Sequence, residues 1–191
     1  NAIGYCIGGT TLALTLALLK QRGENPVSAA TFFTTLTDFS QNGDFLPFLQ
    51  NDFVEGIEKE VDKKGILKSY VMARTFSFLR SNDLIYAPAI NSYMLGNTPP
   101  AFDLLYWNGD GTNLPGAMAV QYLRDLCQSD RFANDGFPLF DTAVHLSDVD
   151  VPLCAIGCET DHIAPWKDSF RGVQKMGSTS KRFILAKSGH I

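Results

Sequence analysis

Cysteine, net charge and long apolar runs are all scarce in this chain. Four cysteines among 191 residues are too few to build a disulfide scaffold. Sixteen basic against 20 acidic residues leave a net charge of -4, which offers no global attraction to nucleic acid or to an anionic membrane. The longest apolar run, residues 12–19, is interrupted by Thr15 and followed by Lys20, whereas a spanning helix needs about 20 apolar residues. The motifs GxxxxGK[ST] and GxGxxG are absent too, so nothing indicates nucleotide hydrolysis or NAD binding.

What the chain does contain is 45% hydrophobic and 12% aromatic residues, amounts that are typical of a globular domain with a sizeable core. Residues 1–5 are short and apolar, glycines surround Cys6, and residues 10–22 are strong helix formers that end at Gly23. The β-branched and aromatic residues 29–36 then predict a buried strand. A strand, a tight glycine turn, an apolar helix and a second strand are typical of parallel α/β architecture.

The middle of the chain lacks this alternation, and we predict that it is an insertion. Residues 55–64 are highly charged, as on a solvated helix face, and residues 86–107 are rich in aromatic residues and proline. Apolar strand patterns return at residues 151–158 and at residues 182–186. The predicted organisation is two core segments with one mostly helical insertion between them, at residues 1–40, 148–191 and 41–147.

The sharpest local signal is GYCIGG at residues 4–9, which places Cys6 in the serine position of a G-x-S-x-G nucleophile elbow. Such a turn runs from a strand into a helix in a strained backbone conformation, so that the nucleophile projects from it. The flanking glycines let the strand and helix approach, and the helix N-terminus favours a thiolate. The backbone N–H of Ile7 is a predicted oxyanion donor. The alternative at this point is a buried structural cysteine beside a glycine-rich turn.

A nucleophile needs a base, and the base needs a group that orients it. With this kind of turn the chain order is nucleophile, acid and histidine. Asp161 follows the strand at 151–158 and His190 follows the strand at 182–186, so both residues lie where this order requires. His162 is a rival base, but adjacent residues at a strand end usually point apart. We therefore predict that it supports the site or contacts the substrate.

The remaining candidates are predicted to be structural. His145 lies in a polar connection, and Cys127, Cys154 and Cys158 are interpreted as apolar cysteines of the core. A C-x3-C spacing without a second pair or nearby histidines is poor evidence for zinc, so no metal site is predicted. Asp38 has no partner that can be assigned by spacing.

Long stretches spread over almost the whole chain resemble the poly(3-hydroxyalkanoate) synthases, the bacterial enzymes that make storage polyesters. They are GYCIGGT at 4–10, TTLTDF at 34–39, FSFLRSNDLIY at 76–86, YMLGNTPPAFDLLYWNGDGTNLPG at 93–116, VPLCAIGCETDHIAPW at 151–166 and KSGHI at 187–191. Matches inside the insertion are more specific than the turn motif alone. The GYCIGG box is most similar to the single-subunit class that uses short-chain substrates.

The resemblance implies an α/β-hydrolase core with a mostly helical cap subdomain over the active site. It implies that (R)-3-hydroxyacyl groups, typically 3-hydroxybutyryl, pass from coenzyme A to a growing polyester. Cys6 matches the family nucleophile, Asp161 the acid and His190 the general base, whereas His162 and Trp107 match motif positions near the site without a firm role. It also implies a homodimer at the surface of cytoplasmic polyester granules, with granule-associated proteins as candidate partners and no cofactor beyond the coenzyme A of the substrate.

A cysteine suits this reaction because attack of a thiolate on a thioester gives another thioester, so the acyl group stays activated. The hydroxyl of the next hydroxyacyl unit must then be deprotonated by His190, or by Asp161 acting as the base. Water must be kept out during this step, and the aromatic and proline-rich block at 40–147 is a predicted lid.

Two other functions remain open. One is a cysteine-type α/β-hydrolase, a thioesterase or esterase, and the other is a non-catalytic granule-binding protein that retains the fold. Five residues precede Cys6 and one follows His190, whereas an α/β-hydrolase core has several strands before its elbow. We therefore expect an internal segment of a longer enzyme that lacks the early strands and the second oxyanion donor. By itself such a segment is expected to be inactive and poorly soluble.

Overall fold

The fold begins with a strand, a sharp turn, a long helix and a second strand. These elements are β1 at Ala2–Tyr5, α1 at Ile7–Gln21 and β2 at Ala30–Phe33. All three were predicted, although α1 begins at Ile7 rather than at residue 10. The chain leaves α1 at Gly23 with φ 71°, the left-handed conformation that commonly ends a helix. The computed structural model describes residues 1–41, 43–79, 81–99 and 110–190.

A largely helical segment follows and forms a compact unit of its own, Phe45–Gln121. Its short strands pair antiparallel, and its buried cluster contains Val61, Leu67 and Ala119. The elements of this part of the chain are a 3₁₀-helix at Gly43–Leu49, α2 at Asn51–Lys64, β3 at Ile66–Leu67, α3 at Ser69–Leu79, a π-helix at Asn82–Tyr86, α4 at Ala87–Ala89, a π-helix at Ile90–Met94, β4 at Leu114–Pro115 and α5 at Gly116–Gln121.

Residues from Tyr122 onward belong to the other compact unit, together with Asn1–Asp44. The first elements after the insertion are a π-helix at Tyr122–Gln128, the antiparallel hairpin of β5 at Phe137–Leu139 and β6 at Thr142–Val144, and a 3₁₀-helix at Leu146–Asp148. Both β6 and this 3₁₀-helix pack against α1. The structure therefore separates residues 45–121 from the rest, whereas the sequence placed the insertion at 41–147. That the insertion serves as a lid stays a prediction.

The chain then returns to the main sheet through β7 at Leu153–Cys158, α6 at Trp166–Lys175 and β8 at Lys181–Ala186. The main sheet has four parallel strands in the order β1-β2-β7-β8. Its register aligns Tyr5, Phe33, Ile156 and Ile184. Because the strands are parallel, their carboxyl ends meet at one edge of the sheet, directly beyond this level.

The two faces of the main sheet differ. One face buries Ala30, Phe32, Leu153 and Ala155, where α1 packs on β1 and α6 packs on β7 and β8. The opposite face carries exposed apolar side chains, among them Ile3, which is 73% exposed, and Ile184, which is 44% exposed. No helix in the described part of the chain is long and apolar enough to cross a membrane.

Two glycines let α1 approach the strands closely. A Cβ atom on Gly4 would lie 2.5 Å from the Cα of Gly9, and one on Gly9 would lie 1.9 Å from the Oγ1 of Thr35. A Cβ on Gly8 would meet nothing within 4 Å. The expected clearance by flanking glycines is therefore confirmed for Gly4, but the second close approach is made at Gly9 rather than at Gly8.

This difference predicts opposite outcomes for two neighbouring substitutions. Gly9→Ala forces the Thr35 side chain and α1 apart, and it should lower the free energy of unfolding by about 1–3 kcal/mol. Gly8→Ala, the matched control, should be neutral or stabilising by up to about 1 kcal/mol, since alanine favours a helix over glycine. Urea unfolding of both variants measures the difference. Equal losses of stability in the two variants would contradict this packing.

Candidate active site

Cys6 is the single residue between β1 and α1, with φ 51° and ψ -124°. A positive φ is uncommon for a residue other than glycine and is typical of strained functional turns. The Cys6 N–H donates to the carbonyl of Phe33 at 2.9 Å, and its own carbonyl accepts from Gly9 at 2.9 Å and Thr10 at 3.2 Å. The N–H of Ile7, in the first turn of the helix, has no acceptor within that helix.

Asp161 and His190 form a hydrogen-bonded pair in the loops after β7 and β8. The Oδ2 of Asp161 lies 2.8 Å from the Nδ1 of His190, and Oδ1 accepts from the backbone of Ile163 at 2.9 Å and Ala164 at 2.8 Å. The Asp161 side chain is fully buried and that of His190 is 8% exposed. Both carboxylate oxygens of Asp161 therefore take part in hydrogen bonds. The His190 imidazole is held by Asp161 through Nδ1 alone, so Asp161 does not use Nε2.

The pKa of His190 reports what surrounds the ring. Burial lowers this pKa, but the hydrogen bond to Asp161 and the interaction with the Cys6 sulfur outweigh burial and raise it to about 9. The ordinary value for histidine is about 6.5. The structure thus brings together Cys6, Asp161 and His190, and their catalytic roles stay predictions.

The other predicted residues have mixed outcomes. His162 is half-buried beside Asp161, and its supporting role stays a prediction, as does the oxyanion role of Ile7. His145 is structural as expected, because it caps the 3₁₀-helix and its N–H donates to Asp148 Oδ2 at 2.8 Å. Trp107 lies outside the described residues.

Two of the other cysteines, Cys127 and Cys158, are buried. All four cysteines are free thiols. Burial raises the pKa of Cys127 to about 12, and burial together with the nearby carboxylate of Asp161 raises the pKa of Cys158. Both shifts disfavour the reactive thiolate form. Within the described ranges, no group of three or more His, Cys, Asp or Glu residues is placed to hold a metal ion.

Two polar features escaped the sequence analysis. The Tyr5 hydroxyl donates to the backbone carbonyl of His190, although nothing in the sequence beyond its place next to Cys6 marks Tyr5. Asp38 is fully buried with its Oδ2 2.6 Å from the Nζ of Lys175. Burial favours a higher pKa for Asp38, but hydrogen bonds from Lys175 and Ser40 outweigh burial and lower it. Asp38 therefore anchors α6 to the loop after β2.

The sheet order, the cysteine turn and the positions of acid and histidine define the class of the fold. A nucleophile on a strand-to-helix turn, followed by an acid and then a histidine, is the arrangement of an α/β-hydrolase. The described residues form part of that fold, from the nucleophile strand to the histidine strand. Similar solved structures include an esterase from Exiguobacterium antarcticum, with TM-score 0.49, 17% identity, and coverage of 98% of this chain and 58% of that chain. A monoacylglycerol lipase from Paleococcus ferrophilus has TM-score 0.48, 14% identity, and coverage of 99% and 59%.

Sequence similarity to curated proteins is much stronger. The poly(3-hydroxyalkanoate) polymerase subunit PhaC of Rhizobium meliloti (strain 1021) is 40% identical over 191 residues, covering 100% of this chain and 31% of that protein. The poly(3-hydroxyalkanoate) polymerase of Methylorubrum extorquens is 40% identical over 190 residues, with coverage of 100% and 31%. No protein-family model matches. The chain is similar to poly(3-hydroxyalkanoate) polymerases over its whole length, and it spans 31% of the length of these relatives.

The raised pKa of His190 makes stability depend on pH. A histidine with a pKa near 9 when folded and about 6.5 when unfolded adds stability that is fully present below about pH 6.5. That stability is lost as the pH rises through about 9. The stability difference between the wild type and His190→Gln should therefore shrink when urea unfolding is repeated from about pH 6 to about pH 10.

The control for this prediction removes the partner carboxylate. In an Asp161→Asn background, His190→Gln should change stability by an amount that depends less on pH, because the largest of the interactions that raise the His190 pKa is gone. If the stability difference between the wild type and His190→Gln stays constant over the whole pH range, Asp161 and His190 are not paired as described.

Proposed function

We propose that the protein is an acyltransferase that polymerises (R)-3-hydroxyacyl groups from coenzyme A thioesters, with 3-hydroxybutyryl-CoA as the expected substrate. One observation carries the proposal most directly. Cys6, at the start of α1, interacts with His190, and His190 is oriented by a buried carboxylate 2.8 Å from its Nδ1. The named activity of the relatives supports the choice of substrate class.

In the first half-reaction, Cys6 takes the acyl group from coenzyme A. The Cys6 sulfur attacks the thioester carbonyl, and the backbone N–H of Ile7 stabilises the negative oxygen that forms. The carbon–sulfur bond to coenzyme A then breaks, and the departing thiolate takes a proton from His190. The product is an acyl thioester on Cys6. Its formation is nearly neutral in free energy because one thioester replaces another.

In the second half-reaction, a hydroxyl group replaces Cys6. The hydroxyl of a 3-hydroxyacyl unit attacks the Cys6 thioester, a carbon–oxygen bond forms, and the carbon–sulfur bond to Cys6 breaks. The hydroxyl proton passes to His190 and the Cys6 sulfur is regenerated. Asp161, as the orienting acid, stabilises the charged imidazole, and general-base help of this kind is worth about 10²–10⁴-fold.

The same acyl-enzyme yields a free hydroxy acid when water attacks it instead. A polymerase therefore needs to exclude water at this stage, and the insertion is proposed to do so as a lid. His162 is proposed to support the site. Action as a homodimer at the surface of cytoplasmic polyester granules is part of the same proposal, with coenzyme A serving as part of the substrate and as a product.

The test compares cysteine variants of the full-length protein supplied with 3-hydroxybutyryl-CoA. Cys6→Ala should lower coenzyme A release by at least about 10⁴-fold, as expected when a covalent nucleophile is removed. Cys6→Ser should retain very little turnover. Cys154→Ala, on the same sheet, is the matched control and should keep wild-type rates. Released thiol and extracted polyester are measured in parallel.

The products separate the proposed function from its alternatives. Polyester formation that requires Cys6 supports the acyltransferase. Accumulation of free 3-hydroxybutyrate without polyester would identify a thioesterase. If the wild type shows no turnover but binds granules without substrate, and Cys6→Ala binds them equally, the protein is non-catalytic.

A further inference from the structure

Tyr5 immediately precedes Cys6, and its side chain lies against His190. Its hydroxyl donates a hydrogen bond to the backbone carbonyl of His190. The two rings are also neighbours in a tilted arrangement, with centroids 5.5 Å apart and planes inclined by 58°. Tyr5 therefore contacts His190 at both the main chain and the ring, while its own main chain continues directly into the nucleophile.

The loop that carries His190 is attached on its other side to the acid loop. The backbone N–H of Thr160 donates to the Ser188 carbonyl at 3.1 Å, and the Thr160 hydroxyl donates to the same carbonyl at 2.9 Å. Thr160 precedes Asp161 directly. Thr160 thus joins the loop that carries His190 to the loop that carries Asp161. Tyr5 joins the same histidine loop to the strand that ends at Cys6.

Thr34 lies beside Tyr5 at the carboxyl edge of the sheet. The register pairs Tyr5 with Phe33, so Thr34 follows at the level of Cys6. Thr34 is buried, with φ 45°, a strained conformation of the kind that clusters at functional sites. Its hydroxyl has no hydrogen-bond partner among the described residues, but it is close enough to the Tyr5 phenol to act on the pKa of that group.

The surroundings of the phenol also keep it protonated. Burial raises the pKa of Tyr5, and the nearby Cys6 and Asp161 act in the same direction, which outweighs the lowering by Thr34. The phenol therefore retains the proton that it donates to His190.

We propose that Tyr5 is a positioning residue for acyl transfer. Its phenol lies beside Thr34 and donates a hydrogen bond to the backbone carbonyl of His190, and this contact sets the distance between the imidazole and Cys6. The inference rests on the proposed function for its catalytic consequence. Its structural part, the control of the Cys6–His190 contact by Tyr5, stands independently of the substrate.

The test uses Tyr5→Phe in the full-length protein, with Tyr93→Phe as the matched control because Tyr93 is 90% exposed. Tyr5→Phe removes only the hydroxyl, so the protein should keep its unfolding midpoint. Its kcat for coenzyme A release should fall by about tenfold to about a hundredfold, with KM changed by less than about twofold, as for a misplaced catalytic group. Tyr93→Phe should match the wild type in each measurement.

A second readout needs no acyl substrate. The rate of Cys6 alkylation by iodoacetamide is followed against pH, because it responds to the contact between Cys6 and His190. Tyr5→Phe should shift the midpoint of this profile. Thr34→Val should shift it the same way, and the double variant should go no further than either single variant, since both act through one contact.

The outcomes are distinct. If Tyr5→Phe retains the wild-type kcat and the wild-type alkylation profile, the inference is wrong. A loss of activity that merely follows a lowered unfolding midpoint, with an unchanged alkylation profile, would also overturn it. If the wild type releases no coenzyme A, the proposed function fails, and the alkylation profiles still decide whether Tyr5 controls the contact between Cys6 and His190.

Discussion

The turn at Cys6 is the constraint on which the rest of the site depends. The chain must change from strand to helix at one residue, and it does so with a positive φ that only close packing maintains. Gly4 and Gly9 permit that packing because a side chain on either one would collide with the helix or with Thr35. The strained turn leaves the sulfur at the start of a helix, beside a backbone donor. The free energy for this geometry comes from the packed helix and sheet around it.

Parallel pairing supplies the other half of the site. Because all four strands run in one direction, the loops after β7 and β8 emerge at the same edge as the cysteine turn. Asp161 and His190, which are separated from Cys6 by more than a hundred residues along the chain, become its neighbours for this reason. Two backbone donors fix the carboxylate, and the carboxylate fixes the imidazole. The site is therefore a consequence of sheet topology and loop hydrogen bonds acting together.

Most of the site could be predicted from the sequence because the glycine spacing indicates the cysteine turn and the chain order indicates the acid and the histidine. The cysteine turn, the acid and the histidine each have a local signature, and all four strands of the sheet appear as short apolar runs. Contacts made by the main chain carry no such signature, which is why the bond from Tyr5 to His190 was missed. The Asp38–Lys175 pair was missed because its partners lie on distant elements. The structure divides the chain after residue 121 because the following hairpin packs on α1, whereas the strand pattern of the sequence resumes only near residue 149.

Under the proposed function, the acyl group passes through Cys6 as a covalent thioester. The direct measurement is mass spectrometry of the full-length protein quenched shortly after mixing with 3-hydroxybutyryl-CoA, followed by identification of the modified peptide. We expect a hydroxyacyl adduct on the peptide that contains Cys6, labile to hydroxylamine as a thioester should be. We also expect that the adduct disappears when excess acceptor is supplied. Turnover with no adduct on Cys6 at any time, or with the adduct on another residue, would contradict this proposal.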